Sequence, residues 1–177
     1  MADDESGRFA SGQTALVVPV PEAEPSVRTW RKRFDPAARA GVPAHVTVLF
    51  PFLPASVVDA ATCAALDEIF ARHRSFDVRF EECGRFPGVL YLAPVPDAPF
   101  RRLTHAVVER WPEAPPYGGK YDPHPHLTVA QGQDEAVLDE IEAGLRPCLP
   151  FTARVPTVDL VVHSGTEWRH RASFALR

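Results

Sequence analysis

Two short segments of this 177-residue chain carry the same reactive residues in the same order: His45-Val46-Thr47-Val48 and His126-Leu127-Thr128-Val129. Each follows a proline within two residues, Pro43 and Pro125, and each runs on into apolar residues, so each reads as a strand just past a turn. Side chains on a strand alternate between its faces. His45 therefore shares a face with Thr47, and His126 with Thr128, while Val46, Val48, Leu127 and Val129 point into a core. If the two strands oppose one another, two imidazoles and two hydroxyls surround one small volume. In-line hydrolysis of a phosphodiester needs one group to take a proton from the attacking water and another to protonate the departing oxygen. Imidazole, with an unperturbed pKa of about 6.5, can fill either role at neutral pH. The hydroxyls can donate to the non-bridging oxygens and hold the phosphate in place. A single such histidine is ordinarily a hydrogen-bonded structural residue and a single threonine an ordinary strand former. The duplication is what points to catalysis.

Other residues compete for attention. Gly118-Gly119-Lys120 offers backbone N–H groups and a lysine charge to a phosphate, so Lys120 is a candidate substrate contact; loop flexibility is the plainer reading. Tyr91 and Phe86 can stack on a base, although their apolar neighbours also suit core packing. His124 and His126 share a strand face and, with His45, could form a three-histidine zinc site, but no carboxylate or cysteine sits at a supporting spacing. His124 is expected at a loop or cleft rim. His73, His105 and His170 read as surface groups, and His163 as a strand-edge residue. Arg31-Lys32-Arg33 reads as a solvated helix face. No GxxxxGK[ST] phosphate loop is present.

The elements that must position the paired motifs follow from periodicity. Thr14 to Pro19 is a short, branched, apolar run and reads as a buried strand. Val27, Trp30 and Phe34 recur at helical spacing until Asp35-Pro36. His45 to Phe50 is a strand, and Ser56 to Arg74 a helix with Val58, Ala61, Ala65, Leu66 and Ile69 on one face. Phe76 to Phe86 and Val89 to Val95 flank Pro87-Gly88, a hairpin signal. Phe100, Leu103, Val107 and Trp111 line a helix ended by Pro112. Residues 115 to 125 read as a loop without regular structure, leading into a strand from His126 to Gln131. A helix from Asp134 to Leu145 and two or three strands complete the chain. The expected fold is α+β and bilobal, with two similar halves, mostly antiparallel sheets and a cleft between them. Residues 1–11 read as a flexible tail before a single domain over 12–177.

Composition bounds the function classes. Hydrophobic residues at 45% and charged residues at 24% fit neither a disordered nor a membrane protein. A net charge of −4, from 19 Lys and Arg against 23 Asp and Glu, lacks the footprint of a protein that coats long nucleic acid. No apolar run approaches the roughly 20 residues of a membrane span. The acidic start Met1-Ala2-Asp3-Asp4-Glu5 has the wrong charge for a secretory or transit signal, so a cytoplasmic protein is expected. Cys63, Cys83 and Cys148 lack CxxC spacing and read as buried small hydrophobes. A monomer satisfies every feature.

The paired His-x-Thr-x segments, the apolar first strand, Pro51-Phe52 after the first motif and Pro-His-x-Thr at the second resemble the two-histidine (2H) phosphoesterase superfamily. Within it the chain is most similar to the bacterial 2′-5′ RNA ligase family and its cyclic phosphodiesterase relatives, from about Thr14 to Leu176. The resemblance implies hydrolysis of a 2′,3′-cyclic phosphate on a small cyclic nucleotide or RNA terminus, with no metal or other cofactor. Some members also join RNA ends through a 2′-5′ linkage without ATP. The resemblance further implies His45 as proton donor, His126 as acceptor, and Thr47 and Thr128 on the phosphate. Members acting on RNA often carry a cation shortly after the second motif; here Ala130-Gln131 follows, which favours a small cyclic nucleotide over polymer RNA. A nucleotide- or phosphometabolite-binding module that has lost catalysis is the alternative reading, and a metal-dependent hydrolase a third.

Overall fold

The computed structural model describes residues 9–177. Eight strands form two antiparallel four-stranded sheets. The strands are β1 (Thr14–Pro19), β2 (His45–Leu49), β3 (Phe76–Phe86), β4 (Val89–Val95), β5 (Leu127–Gln131), β6 (Phe151–Val155), β7 (Thr157–His163) and β8 (Trp168–Ala175). The first sheet has the order β2-β1-β7-β8 and the second β5-β4-β3-β6. The helices are α1 (Glu24–Phe34), α2 (Pro36–Arg39), α3 (Ala60–Ala71), α4 (Ala98–Arg110) and α5 (Glu135–Leu145). The α+β architecture with two matching halves is therefore present. Each half contains a strand-helix-strand-helix run, β1 to α3 and β4 to α5, and in each the histidine strand is the sheet edge.

The halves are interleaved. Helix α1, which follows β1, packs on β5 of the other sheet, and α4, which follows β4, packs on β2. Each histidine strand is thus backed by the opposite half's helix. One large core joins them, with Leu16 and Val18 from the first sheet, Leu90 and Val129 from the second, and Leu66, Leu103 and Ile141 from the helices. Strand β1 lies between β2 and β7 and is buried on both faces, which is why its sequence shows no polar alternation.

Several expected boundaries shift. Helix α3 begins at Ala60, not Ser56, because Asp59 caps it: its carboxylate accepts from the Thr62 amide at 2.8 Å. Ala61 is consequently exposed, and Leu66 and Phe70 carry the buried face. The loop over 115–125 contains a 3-10 turn at Pro116–Gly119, in which Tyr117 adopts a left-handed φ of 53°. Arg31-Lys32-Arg33 is not one solvated face. Successive helical residues point about 100° apart, so Lys32 and Arg33 are exposed while Arg31 is buried. His163 is also buried rather than peripheral, and Cys148 is exposed. Of the tail expected over residues 1–11, residues 1–8 lie outside the described residues. Phe9 packs on Trp168 at a ring separation of 5.3 Å and on His163 at 5.6 Å.

Candidate active site

Alternation on β2 sends Val46 and Val48 into the core and leaves His45 and Thr47 half-buried on the other face. On β5 and the residue before it, Leu127 and Val129 are buried while His126 and Thr128 are half-buried. All four of these polar residues line one cleft of about 820 Å³ between the sheets. The same irregularity marks both motifs. Register between β1 and β2 runs Leu16↔Leu49 and then Val17↔Thr47, skipping Val48. Between β4 and β5 it runs Leu90↔Ala130 and then Tyr91↔Thr128, skipping Val129. A β-bulge therefore falls on the fourth motif position in each half, where it re-aims the flanking side chains. The Val48 carbonyl at the first bulge accepts a 2.7 Å hydrogen bond from the buried Thr104 hydroxyl on α4.

The rings are held alike. His45 Nδ1 donates to the Pro43 carbonyl at 2.8 Å, and His126 Nδ1 donates to the His124 carbonyl at 2.5 Å. A carbonyl can only accept, so each neutral ring carries its proton on Nδ1 and leaves Nε2 as an acceptor. The environments differ. Burial, followed by the positive charge of Arg31, lowers the pKa of His45 to about 4, against the opposing pull of the Pro43 carbonyl and with a smaller push from the nearby His126. Burial also lowers the pKa of His126, opposed by the His124 carbonyl. That His45 senses the charge of His126 puts the two rings within electrostatic reach of one another.

Arg31 is anchored against that environment. Its guanidinium donates to Asp35 at 3.0 Å and to the Val42 carbonyl at 3.2 Å, and both side chains of the pair are buried. Asp35 in turn accepts from the Ala37 amide at 3.0 Å, capping α2. The pair fixes the turn that presents Pro43, and so the carbonyl that orients His45.

Around His126 the neighbours are aromatic. Tyr91 is buried, with its ring 5.5 Å from the His126 ring and 4.6 Å from Phe86, and its hydroxyl is 3.4 Å from His124 Nε2. Tyr91 can lie there because it crosses Gly84, its partner on β3; a Cβ at that glycine would overlap the Tyr91 ring. Phe86 and His124 line the cleft. Lys120 is exposed and is not among the lining residues, although Tyr117, Tyr121 and Asp122 on either side of it are. Burial pushes the Tyr117 phenol up, so it stays a neutral donor, and its amide donates to the Phe50 carbonyl at 2.7 Å. Among the described residues no group of three or more His, Cys, Asp or Glu is arranged to hold a metal ion, so His45, His124 and His126 do not form the three-histidine site.

Sequence reasoning missed Arg31, Asp35, Gly84, Tyr117 and the aromatic residues Phe9, Phe50 and Trp168 that line the cleft. Only the Asp35-Pro36 break and the glycine within a strand signal gave any hint of two of them.

A family model for the 2′-5′ RNA ligase superfamily matches residues 19–167. The chain belongs to that superfamily. The superfamily's phosphodiesterase- or ligase-type chemistry agrees with paired histidines and hydroxyls facing one cleft. No functionally curated protein matches the chain in sequence. Among solved structures, Escherichia coli LigT complexed with 3′-AMP is 20% identical, with a TM-score of 0.62 over 93% of this chain and 98% of that one. The Thermus thermophilus protein TT0787 is also 20% identical, with a TM-score of 0.61 over the same shares. At this identity both show a common fold. No helix of the described residues is long and apolar enough to cross a membrane.

Proposed function

We propose that the chain is a metal-independent phosphodiesterase that opens a 2′,3′-cyclic phosphate on a nucleotide or RNA terminus. His45 and His126 are its acid-base pair, and Thr47 and Thr128 donate to the phosphate. The observation that carries this reading is the duplicated arrangement: two half-buried rings, each with Nδ1 fixed on the carbonyl two residues back, facing one cleft beside two threonines. Water attacks phosphorus as His126 Nε2 takes its proton. The bond from phosphorus to one ribose oxygen breaks, and His45 gives that oxygen a proton. The charges balance, and when a 5′-hydroxyl attacks in place of water the same steps join it to the cyclic end, which is the ligase reaction. The order of donor and acceptor follows the family resemblance. That LigT, of the same fold, is seen complexed with 3′-AMP supports a nucleotide as ligand. Tyr91 is proposed as a neighbour of the bound substrate through its contact with the His126 ring, and Lys120 as a contact from the rim loop. A monomer in the cytoplasm is the accompanying proposal.

The deciding experiment is turnover of 2′,3′-cyclic AMP with and without EDTA. Unchanged activity under chelation, and a loss of about 10²–10⁴-fold in kcat for either His45→Ala or His126→Ala, are expected. Full activity in both variants would overturn the assignment.

A further inference from the structure

The charge and polarity of the cleft walls carry a statement about the substrate. Among the described residues lining the cleft there is no lysine or arginine, and the acids Asp35 and Asp122 are both present. Arg31, the cation His45 senses, is buried and committed to Asp35 and the Val42 carbonyl. On the first-sheet side the wall is apolar: Ala15, Val17, Val161 and Trp168, with Phe9 and Phe50 beside them, form a cluster separate from the main core. These residues are buried, yet they line the cleft. Val17, Ala15, Val161 and Trp168 keep 3%, 5%, 6% and 7% exposure and line the cleft, whereas Leu16, Val18 and Leu160, which do not line it, are at 0%. The wall also begins at the reaction centre, since Val17 pairs directly with Thr47 and Ala15 with Val161.

A phosphodiester carries one negative charge, which two hydroxyls and one protonated imidazole can match. Each further phosphate would surrender its water to a lining without lysine or arginine, where Asp122 adds negative charge. The cations around it are Arg31, already held by Asp35; Arg101, held by Asp97 and the Pro123 carbonyl in the adjoining pocket; and Lys120 on the rim loop. An apolar ring, by contrast, gains by leaving water for the first-sheet wall. We infer that the cleft selects a singly charged phosphodiester bearing a large apolar ring system, seated on the wall beside Thr47, and discriminates against ligands with additional phosphates such as an oligonucleotide end. The inference rests on the proposed phosphate site at the two His-x-Thr motifs and chooses between the small nucleotide and the RNA terminus left open there.

The test is calorimetric titration of the full chain carrying His126→Ala, so that no ligand is consumed. Four ligands are compared: 2′,3′-cyclic AMP, its 5′-phosphorylated form, bis(4-nitrophenyl) phosphate and dimethyl phosphate. Dimethyl phosphate and the 5′-phosphorylated form are expected to bind at least ~10-fold more weakly than cyclic AMP. The cyclic AMP affinity should change less than ~3-fold between about 50 and 200 mM salt, where a binder of many phosphates loses several decades. Binding of bis(4-nitrophenyl) phosphate at a similar level supports recognition of the ring alone; its failure beside tight cyclic AMP binding supports recognition of the nucleoside. Val17→Thr, nearly isosteric and compatible with a strand, should weaken cyclic AMP ~3-fold or more without moving dimethyl phosphate. Gln131→Arg, which sets a cation on the lining, should raise affinity for the 5′-phosphorylated form by ~10-fold. Tighter binding of the 5′-phosphorylated form, or equal binding of dimethyl phosphate, overturns the inference. Wild-type turnover separates the two claims. Selective binding without turnover sinks only the catalytic reading, turnover with a preference for the polyanion sinks only the inference, and no binding of any ligand sinks both.

Discussion

His45 and His126 have matching sequence contexts and matching Nδ1 partners, yet their fields differ, and the difference governs when each can hold a proton. In the unliganded protein His45 is pushed down to about 4 by burial and then by Arg31, so at neutral pH it is uncharged. A donor role for His45 therefore depends on the bound phosphate, whose negative charge restores its proton affinity. Donor and acceptor can be told apart by the leaving group. With a 4-nitrophenyl ester, whose departing oxygen needs no proton, His45→Ala should retain at least ~10-fold more of its activity than it does on a ribose leaving group, whereas His126→Ala should gain nothing. The reverse pattern would exchange the two roles. A second consequence concerns stability. Between about 4 and the ordinary value of 6.5 the unfolded chain takes up a proton at His45 that the folded protein excludes. This contribution is complete above about pH 6.5 and is lost as pH falls toward 4. Urea unfolding at pH 7, 5.5 and 4.5 should show stability declining with acidity, and His45→Gln should flatten the decline. An identical slope in the variant would remove His45 from that balance.

At the level of elements, the site is set by two bulges and one glycine. The bulges at Val48 and Val129 fall on the same motif position in strands whose sequences otherwise differ, and the Thr104 hydroxyl satisfies the first. Gly84 gives Tyr91 its place against Phe86 and the His126 ring. Gly84→Ala should therefore displace the Tyr91 ring. The expected outcomes are destabilisation of about 1–3 kcal/mol and a drop in kcat/KM of ~10-fold or more through the shifted His126 neighbourhood. In the double variant Gly84→Ala with Tyr91→Ala the clash is gone, so the two losses should fall well short of adding; strict additivity would mean that the glycine does not act through Tyr91. These features also mark what sequence can carry. The period-two pattern around His45 and His126 and the Pro87-Gly88 turn were legible because burial of alternate residues leaves its trace in composition. A skipped residue in a strand and a buried arginine inside a basic run leave none, and a glycine inside a strand hints at a close approach without saying what approaches. Each depends on a partner distant in sequence: Tyr91 opposite Gly84 across a hairpin, α4 against β2, and Asp35 and Val42 around Arg31.

For the whole molecule, the exchange of helices decides how the two halves respond to stress. Helix α1 leaves the first sheet to cover β5, and α4 leaves the second to cover β2. Neither histidine strand is thus covered by a helix of its own half. Removing one half would expose Val46 and Val48 or Leu127 and Val129, all now buried. The close fit continues where α5 crosses α1: a Cβ on Gly144 would stand 2.7 Å from the Trp30 ring. Two lobes flanking a cleft would ordinarily invite separate unfolding, but the shared core leaves no boundary at which few contacts cross. The protein should melt in one transition whose calorimetric and van't Hoff enthalpies agree. Gly144→Ala, remote from the cleft residues, should lower that single midpoint, with fluorescence and far-UV circular dichroism shifting together. Two resolved transitions, or a shift seen by one observable alone, would show that the lobes hold themselves together independently and that the cleft can open by parting them.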